Sequence, residues 1–537
     1  MKKVLIFLSC VISILGNAQI SNAPQANTKN GKVEGLKEQS GILAFKGIPF
    51  AAPPVGDNRW KAPQPVKNWT GVLATKQFGP RGMQAPIFGD MGFRSNGMSE
   101  DCLYLNVWSP NTTAKLPVLV YFYGGGFVAG DGSEARYDGE SMAKRGIVAI
   151  TVNYRLGIFG SFAHPELSKE TSYHGSGNYG LLDQAAALQW VHDNIASFGG
   201  DPNKVTIAGE SAGSVSVSAQ MVSPLSKHLI AGAIGESGSM LGTLPPSSLE
   251  DAEKTGLAFA QKIGATSIQD LRKIPAMALL DSATKFGPFR FSSTIDGYFY
   301  PKSPIEIFKA GEQAHVPLLV GWNSEEMNAR AILGNLSFTK ENYEKAVRQL
   351  YGDHANEVLS NYKVSNDAEV EEVATSLAGD RFIGFSTWRW SDLQGKTGGG
   401  KPVYRYLYAR PRPEMVPEMG DATPGLAGGV QKSNGAPKPP IPKGAVHSAE
   451  IEYAMGNLPY NKVYAWSKAD YEVSNTMQTY FANFIKTGNP NGKGVPNWAP
   501  TKTSKPVPVM HIDVNTILQK DAHEARYRMM EKLAENK

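Results

Sequence analysis

The chain has 537 residues, 41% of them hydrophobic, and a formal net charge of +5 with no block of like charge. That balance excludes an electrostatic nucleic-acid partner, and the apolar content excludes a disordered chain. With 56 Gly and 35 Pro the protein is expected to be globular and rich in loops.

The N-terminus reads as a processing segment. Lys2 and Lys3 precede an apolar run, Val4–Leu15, and the small-residue stretch Gly16-Asn-Ala18 follows it. Residues 1–18 are therefore expected to be a signal peptide cleaved after Ala18, leaving a secreted or periplasmic protein. The run is too short to act as a membrane anchor, and no later stretch of eighteen apolar residues occurs. Cleavage removes Cys10 and leaves Cys102 alone, a thiol expected to pack as a small hydrophobe.

Short strands broken by Gly and Pro are expected between Val33 and Pro65, then a Gly/Met/Phe-rich loop over 79–99 and a strand over Cys102–Trp108. The apolar runs Leu116–Tyr123 and Ile147–Asn153 suit strands buried on both faces of a parallel sheet. Leu181–Ile195 has helical spacing and is stopped by Gly199-Gly200-Asp-Pro202. Further strands are expected at Val205–Gly209, Val316–Gly321 and Val403–Tyr408, with charged helical segments over 249–281 and 339–378. Strands alternating with helices predict an α/β class with a mostly parallel sheet. Residues 411–443, crowded with Pro and Gly, predict a long surface loop, and Asp521–Lys537 a frayed surface helix.

The chemistry centres on Gly209-Glu210-Ser211-Ala212-Gly213, which follows a β-branched run and opens a helical one. In that setting Gly-x-Ser-x-Gly is a nucleophile elbow, with Ser211 projecting from a sharp turn and the Ala212 N–H available to an oxyanion. Gly235-Glu-Ser237-Gly-Ser239 nearly repeats the pattern but lacks the closing glycine, so Ser237 is not read as a nucleophile. A serine needs a base and a carboxylate that orients it, in the order Ser, acid, His. Of the six His after Ser211, His447 follows the flexible Lys443-Gly-Ala-Val and precedes a helical run. The acid is expected after the Val316–Val320 strand, where Glu325 and Glu326 cannot be told apart by spacing. A catalytic imidazole predicts activity that rises through an ionisation near neutrality.

These segments resemble the type-B carboxylesterase family, which includes carboxylesterases, para-nitrobenzyl esterases and cholinesterases. The motifs Phe-Lys-Gly-Ile-Pro-Phe-Ala at 45–51, Glu-Asp-Cys-Leu-Tyr-Leu-Asn-Val at 100–107, Tyr-Gly-Gly-Gly-Phe at 123–127, Gly-Glu-Ser-Ala-Gly at 209–213 and His-Ser-Ala-Glu-Ile-Glu-Tyr at 447–453 stand in family order. The resemblance implies an α/β-hydrolase fold over 19–537 as one domain, a central mostly parallel sheet with large loop and helical insertions. It implies Ser211 as nucleophile, His447 as base and Glu326 as the orienting carboxylate, because the family places the triad acid last in Gly-x-Asn/Thr-x-Asp-Glu. Gly125, Gly126 and Ala212 are then the oxyanion amides, while Glu210 and Ser237 support the triad. Tyr123 stands where the family often has His. The family's counterpart of Cys102 usually pairs with an upstream cysteine that this chain lacks, so the 79–99 loop is expected to be unstapled.

The expected function is hydrolysis of a small-molecule carboxylic ester through an acyl-enzyme, with Phe127, Phe286, Phe289, Trp322, Phe385, Trp388 and Trp390 as candidate walls for an aromatic or bulky group. Amide hydrolysis on the same site and a non-catalytic adhesion role are the alternatives. No cofactor or metal is expected: there is no paired-cysteine or His-Glu-x-x-His pattern, and Gly395–Pro402 lacks the Ser/Thr of a phosphate loop.

Overall fold

A computed structural model describes residues 23–432, 442–502 and 506–535. The expected signal peptide, Cys10 and part of the 411–443 segment lie outside the described residues.

An 11-stranded sheet organises the chain, and its strands are numbered here in chain order. They are β1 (Leu36–Lys37), β2 (Leu43–Pro49), β3 (Tyr104–Ser109), β4 (Leu116–Phe122), β5 (Val148–Val152) and β6 (Gly200–Glu210). The rest are β7 (Gly232–Glu236), β8 (Leu318–Asn323), β9 (Val403–Tyr408), β10 (Pro508–Ile512) and β11 (Ile517–Lys520). Across the sheet the order is β11-β10-β9-β8-β7-β6-β4-β5-β3-β2-β1. Pairing is parallel from β5 through β4, β6, β7, β8 and β9 to β10, and antiparallel at both ends. The apolar runs become the inner strands because layers on both faces bury every residue of β5, β7 and β8. Ligands of such sheets gather at the carboxyl ends of the strands, and the candidate residues Ser211, Glu326 and His447 lie there.

Helix Tyr179–Asn194 passes into a 3₁₀ turn and stops at Gly199, whose φ of +82° is left-handed, as the sequence leads one to expect. The helical segments expected over 339–378 are Lys340–Tyr351, Ala355–Asn361 and Val370–Gly379. One expectation needs correction. The expected helix is present as Glu524–Glu535 but is not loose: Met529, Met530 and Leu533 are buried against the helices over 340–379, and Tyr527 against Trp322 and Trp388. Its charge hid an apolar face at helical spacing.

Candidate active site

Strand β6 ends at Glu210, and helix Ala212–Val222 begins directly after Ser211. Ser211 takes φ 55° and ψ −120°, a conformation that costs a non-glycine residue about 1–3 kcal/mol. The turn persists because its surroundings hold it: the Ser211 N–H donates to Glu236 O at 2.8 Å. Glycine is required on both sides. A Cβ on Gly213 would lie 2.0 Å from Phe122 O, and one on Gly209 would lie 2.5 Å from both Phe122 O and Gly213 C.

His447 lies on a loop held against the carboxyl end of β8. Glu325 accepts the Gly444 N–H at 2.8 Å, the Ser324 hydroxyl accepts from Ala445 N at 2.9 Å, and Asn323 Nδ2 donates to Val446 O at 2.8 Å. The imidazole thereby reaches across the sheet, with Nε2 2.9 Å from Ser211 Oγ and Nδ1 2.6 Å from Glu326 Oε2. His447 and Glu326 are buried, and Ser211 is partly open. Glu326 Oε1 accepts from the Asn323 N–H at 2.7 Å and the Ser237 hydroxyl at 2.5 Å. The two neighbouring glutamates are thus separated by geometry. Glu326 faces the imidazole, whereas Glu325 pins the loop that carries it.

Ser237 also has a positive φ, of 58°, but its hydroxyl is committed to Glu326. Glu210 Oε1 is 3.2 Å from His447 Nε2 and has no hydrogen-bond partner among the described residues. Burial pushes the Glu210 carboxyl up to about 7, against the pull of His447. Glu450, beside Asn323 and Ser237, is pushed by burial and by Glu210 and Glu326 up to about 8. For His447, burial favours the neutral ring, but the carboxylates of Glu210 and Glu326 outweigh it and raise the group to about 9.

Gly125 and Gly126 follow β4 with φ of +113° and +63°. A Cβ on Gly125 would lie 2.2 Å from Ala129 O. The N–H groups of Gly125, Gly126 and Ala212 have no acceptor among the described residues. Tyr123 is a brace rather than part of this turn: it stacks on Tyr154 at 4.3 Å, and the Tyr154 hydroxyl donates to Tyr123 O at 2.6 Å.

The unstapled loop over 79–99 is tied down by polar contacts to 130–138. Arg94 pairs with Asp138 at 2.8 Å and donates to Ser133 O at 2.6 Å, while Gln84 exchanges two hydrogen bonds with Gly130. Cys102 is buried beneath it, and burial pushes its thiol well above the ordinary range. This loop carries Met91 to the glycine turn, its Cε 3.2 Å from where a Gly125 Cβ would stand.

Of the seven candidate aromatics, the site receives few. Trp388 and Trp390 are fully buried core, Trp322 packs on Tyr527, Phe385 on Trp388, and Phe286 on Phe259. Phe289 remains, exposed, with Cε1 2.8 Å from where a Gly126 Cβ would lie, and Phe127 adjoins the same glycines. Sequence reasoning missed Phe382, whose ring meets the His447 imidazole at 5.1 Å and 74°. It stands 65 positions from His447 in the chain, and no spacing rule links the two. Among the described residues no group of three His, Cys, Asp or Glu could hold a metal ion. No described helix is long and apolar enough to cross a membrane.

A strand-to-helix elbow bearing a serine, a distant histidine and a buried glutamate meet at the carboxyl ends of a largely parallel sheet, as in the α/β-hydrolase fold. The profile of the Carboxylesterase family matches residues 22–530, and the chain belongs to that family: it is a carboxylic ester hydrolase of the type-B carboxylesterase group. It is 34% identical over 494 residues to fumonisin B1 esterase of Sphingopyxis macrogoltabida, covering 88% of this chain and 83% of that one. Identity to para-nitrobenzyl esterase of Bacillus subtilis is 33% over 495 residues, covering 88% and 91%. The crystal structure of a Geobacillus stearothermophilus carboxylesterase superposes with a TM-score of 0.78 at 30% identity, covering 94% of this chain and 99% of that one.

Proposed function

We propose that Ser211, His447 and Glu326 hydrolyse esters through an acyl-enzyme. The observation that carries this reading is the unbroken hydrogen-bond chain from Ser211 Oγ through the imidazole to Glu326. His447 Nε2 takes the serine proton as Oγ bonds to the ester carbonyl, and the negative oxygen is received by the amides of Gly125, Gly126 and Ala212. Collapse breaks the bond to the alcohol, which leaves with the proton from His447. Water then repeats the sequence and frees the acid. Met91, Phe127, Phe289 and Phe382 favour an apolar or aromatic group on the substrate. The test is hydrolysis of para-nitrophenyl acetate blocked by a fluorophosphonate. A protein that neither turns over the ester nor is blocked contradicts the reading.

Protonation gives a sharper expectation than sequence alone. Because neighbouring carboxylates raise the His447 group, the imidazolium persists to higher pH and the base form appears later. The kcat/KM profile should rise through a midpoint above about 6.5, the ordinary histidine value, rather than near or below it. Glu210→Gln removes the largest raising influence, so its midpoint should move down in pH. A profile already flat by about pH 6, or an upward shift in the variant, contradicts this.

The described part of the 411–443 segment touches the residue after His447. The Ser448 hydroxyl donates to Leu426 O at 2.6 Å, Arg412 donates to Ser448 O at 3.0 Å, and the Gly429 N–H reaches Asp90 of the 79–99 loop at 3.2 Å. We read it as part of the mouth of the site. Replacing residues 418–432 with a short Gly/Ser linker should change kcat/KM for bulky relative to small esters by about tenfold. An equal fall for both would assign it only to holding the histidine loop. Residues 1–18 are proposed to direct export, and the mature N-terminus should sequence from Gln19.

A further inference from the structure

The helix Glu524–Glu535 is joined to the candidate active site by a short chain of contacts. Tyr527, 1% exposed, donates its hydroxyl to Asp380 Oδ1 at 2.9 Å. Tyr362, just beyond the helix Ala355–Asn361, donates to the other oxygen of the same carboxylate at 2.7 Å. Asp380 opens a single π-helical turn, Asp380–Gly384, set between helices Val370–Gly379 and Phe385–Thr397. Such turns are rare and recur at functional sites, because the widened backbone redirects the side chains it carries. A Cβ on Gly384 would lie 2.8 Å from Asp380 Oδ1, so the carboxylate sits against the turn it opens. This turn carries Phe382, the ring packed on His447. Gly379, immediately before it, lies against Glu326: a Cβ there would be 3.4 Å from the Glu326 Cβ.

We infer that Tyr527 and Asp380 are positioning residues that set the π-helical turn, and through it fix Phe382 as the substrate-facing wall beside the imidazole. This rests on the esterase reading above and assigns part of its selectivity to a residue of the C-terminal helix. A buried carboxylate held by two hydroxyls from separate elements has little freedom. Removal of one hydroxyl leaves an acceptor unpaired and lets the turn relax. An ester whose acyl arm is a methyl group has nothing to lose from that relaxation, whereas a bulky aromatic arm needs the wall where it stands.

The experiment compares the full chain with Tyr527→Phe and Asp380→Asn, using para-nitrophenyl acetate and a bulky aryl-acyl ester, with active sites counted by a fluorophosphonate probe. Per active site, the small-ester kcat/KM should stay within about threefold, while the bulky-ester value changes by about tenfold, mainly through KM. On a Phe382→Ala background, Tyr527→Phe should add no further change in the ratio of the two esters. A lowered Tm with both esters changed by one factor, or an additive shift on the Phe382→Ala background, overturns the inference and assigns the contact to stability alone. If Tyr527→Phe does not fold, the same comparison on Tyr362→Phe decides, because that hydroxyl holds the other oxygen. A wild-type protein that hydrolyses neither ester overturns the esterase reading instead, and this inference with it.

Discussion

Ser211→Ala is expected to give a folded protein whose ester hydrolysis falls by about four to six orders of magnitude in kcat. The substitution removes one partly open hydroxyl at the elbow and leaves its backbone bond to Glu236 O in place, so stability should change little. Alanine tolerates the positive φ no better than serine, and the surroundings impose that φ in either case. Ser237→Ala is the control. Ser237 shares the Gly-Glu-Ser sequence and the positive φ with Ser211, but its hydroxyl supports Glu326 rather than facing the histidine. Losing a hydrogen bond to a carboxylate costs about 1.5–3 kcal/mol, so activity should fall by about 10- to 100-fold. Equal losses in the two variants would contradict the assignment of Ser211 alone as nucleophile.

Glu326→Gln is the second large effect. In the proposed mechanism the carboxylate, 2.6 Å from Nδ1 of His447, accepts its proton and so fixes the tautomer that leaves Nε2 free to take the serine proton. An amide in the same place can present its NH₂ to Nδ1 and select the wrong tautomer, a loss of about four orders of magnitude in kcat. Glu325→Gln keeps an oxygen able to accept the Gly444 N–H and should cost less than about tenfold. A larger effect at Glu325 than at Glu326 would mean that the loop anchor, not the imidazole partner, limits the reaction.

The parts of the site readable from the sequence are those whose chemistry leaves a local pattern. The elbow declares itself because Gly209 and Gly213 are demanded by contacts under 3 Å, and the strand before it is a buried β-branched run. The parallel sheet was legible for the same reason: β4 and β5 are apolar but for Thr151, because both faces are covered. The choice between Glu325 and Glu326 was not legible from spacing. It depends on which side chain points inward at the end of β8, and the family resemblance supplied it. Phe382 left no local signal, because a ring carried by a π-helical turn is defined by what packs on it, and the apolar face of the C-terminal helix was masked by the charges around it. The aromatic residues were misleading in the opposite sense, since Trp322, Trp388 and Trp390, proposed as walls, are core, the ordinary fate of large apolar side chains.

In the proposed reaction one serine, Ser211, carries the acyl group. It is tested by mass spectrometry of the protein after reaction with a fluorophosphonate, followed by peptide mapping. One adduct per chain is predicted, on the peptide carrying Ser211, slowed by an excess of ester substrate and absent from Ser211→Ala. An adduct on Ser237 or elsewhere, or full ester hydrolysis by a protein that takes no adduct, would contradict the account.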